Sequence, residues 1–300
     1  MKFEYRPYQK DIIEKACKIL SLPMSNFVYL SMEVRTGKTL TALGISQKMN
    51  ANRVLFVTRK KAISSIESDH ELLNADFNLF TINYESLHKV TDLKFDMIVL
   101  DEAHSLGSYP KQGKRHKEVS RIARQSKGCK FILLSGTPTP ESYSQMFHQI
   151  NFIPNNPFSA YVNFYKFAKT YVVPKQKRIG SMTVNDFSEG KKEILYAVRN
   201  NQISFTQEKA GFTSKVTEHF IYVKMMDRTR DMIERLKKDR VIEGKTETIL
   251  ADTPVKLLSK IHQLSAGTIK FDSGATMVVD DSKAKFIKEE FANKKIAIFY

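Results

Sequence analysis

Five short apolar runs fall within the first 140 residues, at Phe27–Ser31, Val54–Thr58, Leu79–Ile82, Met97–Leu100 and Phe131–Ser135. None alternates strictly with polar residues, and helical patterns sit between them, as at Lys10–Leu20 and Thr39–Met49. Runs this short and uninterrupted suit strands covered on both faces. Strands alternating with helices predict parallel βαβ units, and so an α/β fold with a parallel sheet sandwiched by helices. The hydrophobic fraction of 42% is enough for such a core. No apolar run approaches the roughly 18 residues of a membrane span. The first residues, Met1 to Lys10, mix charge with aromatics and lack a signal-peptide stretch. These features predict a soluble, intracellular protein with no membrane partner.

After Pro140 the texture changes. Pro154, Pro157 and Pro174 punctuate a stretch rich in Phe and Tyr. Phe158, Tyr161, Phe164, Tyr165 and Ala168 recur at helical spacing, a stripe that reads as core packing rather than a base-stacking platform. Residues 171–184 predict a strand pair, Met225–Lys238 and Ser282–Ala292 predict helices, and Phe271–Val279 a hairpin turning at Asp272-Ser273-Gly274. Lys295–Tyr300 reads as a buried strand at which the sequence stops. It is expected to open a further domain, to add to an edge of the first sheet, or to pair with the hairpin.

Lysine and arginine number 48 against 32 acids, a net charge of +16. That excess favours a polyanionic partner through phosphate contacts and counterion release, although a lysine-rich surface gives the same total. Eight basic residues and one acid lie between Lys111 and Lys130, and five basic residues and no acid between Lys166 and Arg178. The two cysteines, Cys17 and Cys129, read as small reduced core residues. The histidines lack the paired spacing of a zinc site.

Three strand ends carry chemistry. Met32-Glu33-Val34-Arg35-Thr36-Gly37-Lys38-Thr39 follows the first run and opens a helical pattern, the context of a phosphate-binding loop. Thr36, Gly37 and the helix start would surround the phosphates. Lys38 would reach their far end, and the Thr39 hydroxyl would ligate Mg²⁺. Read alone, Gly-Lys-Thr is equally a turn opening a helix. Asp101-Glu102-Ala103-His104 ends the run at Met97–Leu100. Asp101 would hold Mg²⁺ and Glu102 would orient and deprotonate an attacking water; the plain alternative is two solvated acids capping the next segment. Ser135-Gly136-Thr137-Pro138 ends the last run. Its hydroxyls can bond across to the neighbouring acids, or it is an ordinary Gly-Pro turn.

Taken in order, these segments resemble motifs I, II and III of superfamily-2 helicases of the DEAH type. Arg6-Pro7-Tyr8-Gln9 is similar to their adenine-recognition segment. The Met32–Thr39 segment with its Glu33 resembles the Swi/Snf-type, chromatin-remodeller-like branch, including its compact viral and bacterial members. Val54–Thr58 with Arg59-Lys60-Lys61, and Thr81-Ile82-Asn83-Tyr84-Glu85, resemble further motifs of that branch. The resemblance implies a RecA-like ATP-binding lobe at 1–150, a helical insertion or linker region at 151–280, and the start of a second RecA-like lobe at 281–300. It implies an ATP hydrolase acting as a monomeric translocase or helicase on double-stranded DNA, with ATP and Mg²⁺ as cofactors. Gln9 would read adenine beside Arg6; Lys38, Asp101 and Glu102 would be catalytic; His104, Ser135 and Thr137 would couple nucleotide state to lobe movement. Arg59, Lys60, Asn83 and Tyr84 would approach the nucleic-acid backbone, although a surface basic run and a turn account for them equally.

Two departures qualify this. The usual first glycine of the loop is Met32, and Arg35 stands where many relatives carry glycine, so Arg35 is expected to crowd or gate the loop. Motifs IV to VI do not occur, and with them the arginine finger, which is worth on the order of 10³–10⁵ in rate. Two rivals follow: a nucleic-acid-binding or regulatory module without turnover, and another phosphate-loop enzyme such as a kinase. Glu102 and the Ser-Gly-Thr segment speak against the kinase. The 300-residue chain is therefore expected to bind ATP weakly and hydrolyse it slowly, which steady DNA-stimulated turnover measured on it would contradict.

Overall fold

The computed structural model describes residues 3–179, 182–212, 217–244 and 247–298. Contacts divide the chain into two compact units, Met1–Ser214 and Lys215–Tyr300. The first unit runs α1 (Pro7–Ser21), β1 (Phe27–Met32), α2 (Lys38–Lys48), β2 (Arg53–Thr58), α3 (Ile63–Leu73), β3 (Asn78–Asn83) and β4 (Met97–Asp101). It continues with α4 (Lys114–Gln125), β5 (Lys130–Leu134), α5 (Met146–Ile150), α6 (Phe164–Tyr171), β6 (Lys175–Ile179), β7 (Met182–Asp186), α7 (Glu193–Val198) and β8 (Gln202–Phe205). The five expected strands are found, each within one residue of its expected ends.

Six strands make one parallel sheet in the order β3-β2-β4-β5-β1-β8. The pleat explains why the apolar runs do not alternate. Phe27, Tyr29, Leu55, Val57, Phe131 and Leu133 enter one core with Val119 and Ile122 of α4 and Phe147 of α5. Their neighbours Val28, Leu30, Val54, Phe56, Ile132 and Leu134 enter a second core with Ile12 of α1, Leu43 of α2 and Ile66 of α3. Successive side chains point to opposite faces, so a strand covered twice must be apolar at every position. Burying each such side chain contributes roughly 1.5–3 kcal/mol. Gly44 within α2 lowers that helix's propensity but admits α1: a Cβ there would stand 2.6 Å from the Tyr5 hydroxyl and 2.7 Å from Ile13 Cδ1.

The Phe- and Tyr-rich stretch lies under the first face. Asn163 caps α6 by accepting from the Lys166 N–H at 3.0 Å, and Phe164, Phe167 and Ala168 are buried. Phe147, Phe158 and Phe167 meet there, Phe147 and Phe167 with ring centroids 4.7 Å apart. The stripe is core, as its spacing predicts, with Tyr165 left half exposed. The antiparallel hairpin β6–β7 stands where residues 171–184 predict a strand pair, with residues 180 and 181 outside the described residues. β8 was not legible in advance. Gln202-Ile203-Ser204-Phe205 is short and half polar, and becomes a strand because the edge of β1 offers it a ladder. Residues 151–205, assigned from the sequence to an insertion or linker, thus supply the aromatic layer and one edge of the sheet.

The second unit contains α8 (Asp227–Asp239), β9 (Val241–Glu243), β10 (Thr248–Leu250), α9 (Pro254–Ser265), β11 (Thr268–Lys270), β12 (Thr276–Val278) and α10 (Ser282–Glu290). It has its own small core of Ile233, Leu236, Ile249, Leu264 and Ile269. The hairpin β11–β12 turns where Asp272-Ser273-Gly274 predicts. Lys295–Ile298, expected as a strand, has no regular secondary structure; Ile296 and Ile298 are exposed, and Phe299 and Tyr300 lie outside the described residues. No helix among the described residues is long and apolar enough to cross a membrane. Cys17 and Cys129 are free and buried, and burial raises their thiol pKa values to about 11 and about 12.

Two histidines are built into the first face. His116 Nδ1 lies 2.6 Å from the His148 carbonyl, and burial brings its pKa down to about 4 from an ordinary 6.5. The folded protein keeps this ring neutral while the unfolded chain takes a proton near pH 6.5. Stability is therefore full above that pH and is lost as the pH falls from about 6.5 towards about 4. The loss is up to roughly 3 kcal/mol. Urea midpoints measured between pH 7.5 and 4.5 should fall accordingly, and His116→Phe should flatten the slope.

Candidate active site

Strands in this sheet run parallel, so β1, β4 and β5 end at one edge. Asp101 is paired in register with Leu134, and Leu134 with Leu30, so the ends of β4 and β1 flank that of β5. The three motifs follow directly from these ends.

Between β1 and α2 the chain turns through Arg35 (φ 64°) and Gly37 (φ 77°), both left-handed. Gly37 suits that conformation; Arg35 adopts it at a cost of about 1 kcal/mol. Arg35 itself is exposed. The group folded onto the loop is Lys38, whose Nζ donates to the Met32 carbonyl at 3.0 Å and the Glu33 carbonyl at 3.3 Å. Burial lowers the Lys38 pKa, opposed by the charges of Glu102 and Asp101. Thr36 is buried and donates to the Glu33 carbonyl at 2.6 Å, and Thr39 lies half-buried at the start of α2. Gly136 faces the same space: a Cβ there would lie 3.9 Å from Lys38 Nζ.

Gln9 is buried and spans two segments. Its side-chain amide donates to the Gly37 carbonyl at 3.3 Å and accepts from the Arg6 N–H at 3.0 Å. Tyr8 donates to the Thr36 carbonyl at 3.3 Å, and exposed Arg6 donates to the Tyr8 hydroxyl at 3.1 Å. The segment expected to meet adenine thus also braces the phosphate loop.

At the tip of β4, the Thr58 hydroxyl donates to Asp101 Oδ2 at 2.7 Å. Burial raises the Asp101 pKa, and the bond from Thr58 works against it. Glu102 takes a left-handed φ of 50°, a conformation that costs a non-glycine residue energy and turns its carboxylate off the strand. Glu102 lies 3.3 Å from His104 Nδ1 and 4.0 Å from the Arg59 guanidinium. His104 Nδ1 lies 2.9 Å from the Ser135 hydroxyl oxygen, which accepts from the Thr137 N–H at 3.1 Å. Both Glu102 and Ser135 therefore face one ring nitrogen of His104, which sets the Glu102 carboxylate beside the turn after β5.

Of the residues expected near a nucleic-acid backbone, Arg59 and Lys60 are exposed. Asn83 donates to the Glu85 carboxylate at 3.0 Å. Tyr84 departs from its expected place: its ring is buried and its hydroxyl donates to the Asp101 carbonyl at 2.6 Å. It orients the end of β4 rather than facing outward. Thr58 and Tyr84 fall in segments that resemble family motifs, but their contacts with Asp101 were not among the expectations, and no sequence motif marks the segment after β8. Thr58 stands at a strand tip, but its contact with Asp101 depends on β2 lying beside β4, a matter of strand order.

Sheet order, strand direction and the position of these tips define the class: a RecA-like α/β lobe. The profile of the SNF2-related domain matches residues 30–268, and the chain belongs to that family of ATP-dependent nucleic-acid motors. It is 26% identical over 197 residues to a SWI/SNF-related matrix-associated actin-dependent regulator of chromatin subfamily A-like protein 1 homolog of Caenorhabditis elegans, covering 57% of this chain and 27% of the relative. The chain thus spans about a quarter of that curated relative's length. Among solved structures it is similar to the ATP-dependent Type ISP restriction-modification enzyme LlaBIII bound to DNA, with 15% identity and a TM-score of 0.36, covering 68% of this chain and 15% of the other. So slight a likeness bears no weight.

A Cβ on Gly37 would stand 2.5 Å from Gln9 Nε2, and φ is already positive there. Gly37→Ala should therefore destabilise the protein by about 1–2 kcal/mol in urea unfolding. Placed on Gln9→Ala, the same change should cost less, because the steric share is relieved.

Proposed function

We propose that this chain is the ATP-binding part of a translocase on double-stranded DNA. The observation that carries this is the meeting of Lys38, Asp101, Glu102 and Gly136 at one edge of one parallel sheet. A triphosphate at the start of α2 would draw Lys38 Nζ off the loop carbonyls and onto its oxygens. The residues present fit a magnesium ion. The Thr39 hydroxyl and the Asp101 carboxylate are hard oxygen donors, and the half-buried Asp101 has its charge offset by the Thr58 hydroxyl, a backbone N–H and the Lys38 ammonium, all of which leave room for a cation. Bound there, the ion would neutralise charge developing on the phosphates.

Glu102 supplies the base. It is half-buried, is turned off the strand, and is held beside His104, from where it can orient a water and accept its proton. The path from His104 through Ser135 to Thr137 gives the turn after β5 a means of responding when charge at Glu102 changes. DNA would be gripped through phosphates, without reading bases, so binding should tolerate sequence and weaken with salt. Arg59 and Lys60 are candidates for that grip. So is the stretch at 166–178, where Lys166 and Lys169 project from α6 into solvent and the side chains of Lys177 and Arg178 lie outside the described residues.

The decisive substitution is Glu102→Gln, made in the intact polypeptide rather than in these 300 residues alone. There it should leave ATP affinity within about twofold and lower DNA-stimulated hydrolysis at least ~100-fold. An intact polypeptide with no DNA-stimulated hydrolysis to lose would instead be a binding or regulatory module. Separately, Arg59→Ala with Lys60→Ala should weaken DNA binding and reduce the slope of log affinity against log salt by about 1 for each phosphate contact removed. An unchanged slope would remove these residues from the interface.

A further inference from the structure

The phosphate loop of this chain carries Met32 and Arg35 in place of glycines, yet makes its turn with Arg35 left-handed. Such a backbone persists only where its surroundings over-determine it. The surroundings here come from β8, the edge strand beside β1, and from the segment that opens α1. The Glu33 N–H donates to the Phe205 carbonyl at 3.0 Å. The Glu33 carboxylate accepts from the Gln207 N–H at 2.7 Å, and the Gln207 side-chain amide donates to the Val34 carbonyl at 2.9 Å. The Phe205 ring stacks on Tyr8, centroids 4.6 Å apart, and Tyr8 in turn donates to the Thr36 carbonyl. Every loop residue from Glu33 to Gly37 except Arg35 is thus bonded by β8, the two residues after it, or the Arg6–Gln9 segment.

We infer that Glu33 and Gln207 form a clamp that positions the phosphate loop for its nucleotide, Glu33 acting through its hydrogen bonds rather than its charge. The inference rests on the nucleotide reading above and adds two positioning residues to it. Charge and clamping predict opposite signs. A carboxylate on a phosphate loop repels a triphosphate, so if charge alone mattered, removing it would tighten binding. If the clamp matters, removing the acceptor frees the loop, and binding must then supply the ordering that the clamp now provides. Glu33→Gln separates the two, because its amide oxygen can still accept from the Gln207 N–H while the charge is gone.

The test uses the full chain and an N-methylanthraniloyl-labelled ATP with Mg²⁺, read by fluorescence, with thermal unfolding recorded for each variant. Glu33→Ala should weaken binding about tenfold, Gln207→Ala by several-fold, and Glu33→Gln by less than about twofold. Should Glu33→Ala not fold, Gln207→Ala tests the other half of the clamp, since it removes the bond to the Val34 carbonyl while keeping the backbone N–H that Glu33 accepts, and unchanged binding there would overturn the clamp. Glu33→Ala binding as tightly as the parent, or Glu33→Gln weakening as much as Glu33→Ala, would overturn the clamp while leaving the nucleotide site intact. A parent chain that binds no better than Lys38→Ala would overturn the nucleotide reading, and the clamp with it.

Discussion

A parallel sheet buried on both faces can offer solvent little but the ends of its strands. That constraint shapes the first unit of this protein. Apolar side chains above and below leave no room for a polar group in the body of the sheet. Asp101, Glu102 and Ser135 are tolerated because each sits at, or just past, the last rung of a strand, and Lys38 because it opens α2 at the same edge, after the loop that follows β1. Strands that all run one way bring those last rungs to a single edge. The chemistry is concentrated because the hydrophobic effect permits it nowhere else.

The same edge is where backbone conformation is least regular. Arg35, Gly37 and Glu102 all have positive φ there, and each needs neighbours to hold it. The side chains around them lean mostly on main-chain carbonyls: Lys38 on Met32 and Glu33, Gln9 on Gly37, Tyr84 on Asp101. Lys38 is held half-buried against carbonyls, with two carboxylates near enough to oppose its loss of charge. An ammonium so placed is pre-oriented towards the loop it is proposed to serve, and its partners are weak enough to be exchanged for phosphate oxygens.

The stretch from 151 to 205 shows how context overrides local pattern. Its aromatic stripe reads as helical core, and it is core. What it also does is carry the chain back to the sheet and lay a sixth strand along β1. That strand brings Phe205 and Gln207 to the phosphate loop. Contacts among residues part the chain after Ser214, so the aromatic layer and the edge strand belong with the sheet edge that carries the three motifs.

Periodicity alone was enough for the four inner strands and for β3 at the edge, because burial on two faces writes itself into consecutive apolar residues and β3 keeps the apolar core of its run. The three motifs were likewise legible, since a phosphate loop and an Asp-Glu pair need particular residue types at strand ends. Contacts set by strand order were not legible. Thr58 touches Asp101 only because β2 lies beside β4, and Tyr84 turns inward only because a carbonyl waits there. β8 is half polar and short, and takes its conformation from the edge it joins. Such contacts carry no local signature, because the energy that forms them comes from partners distant in the chain and is realised only when the sheet has formed.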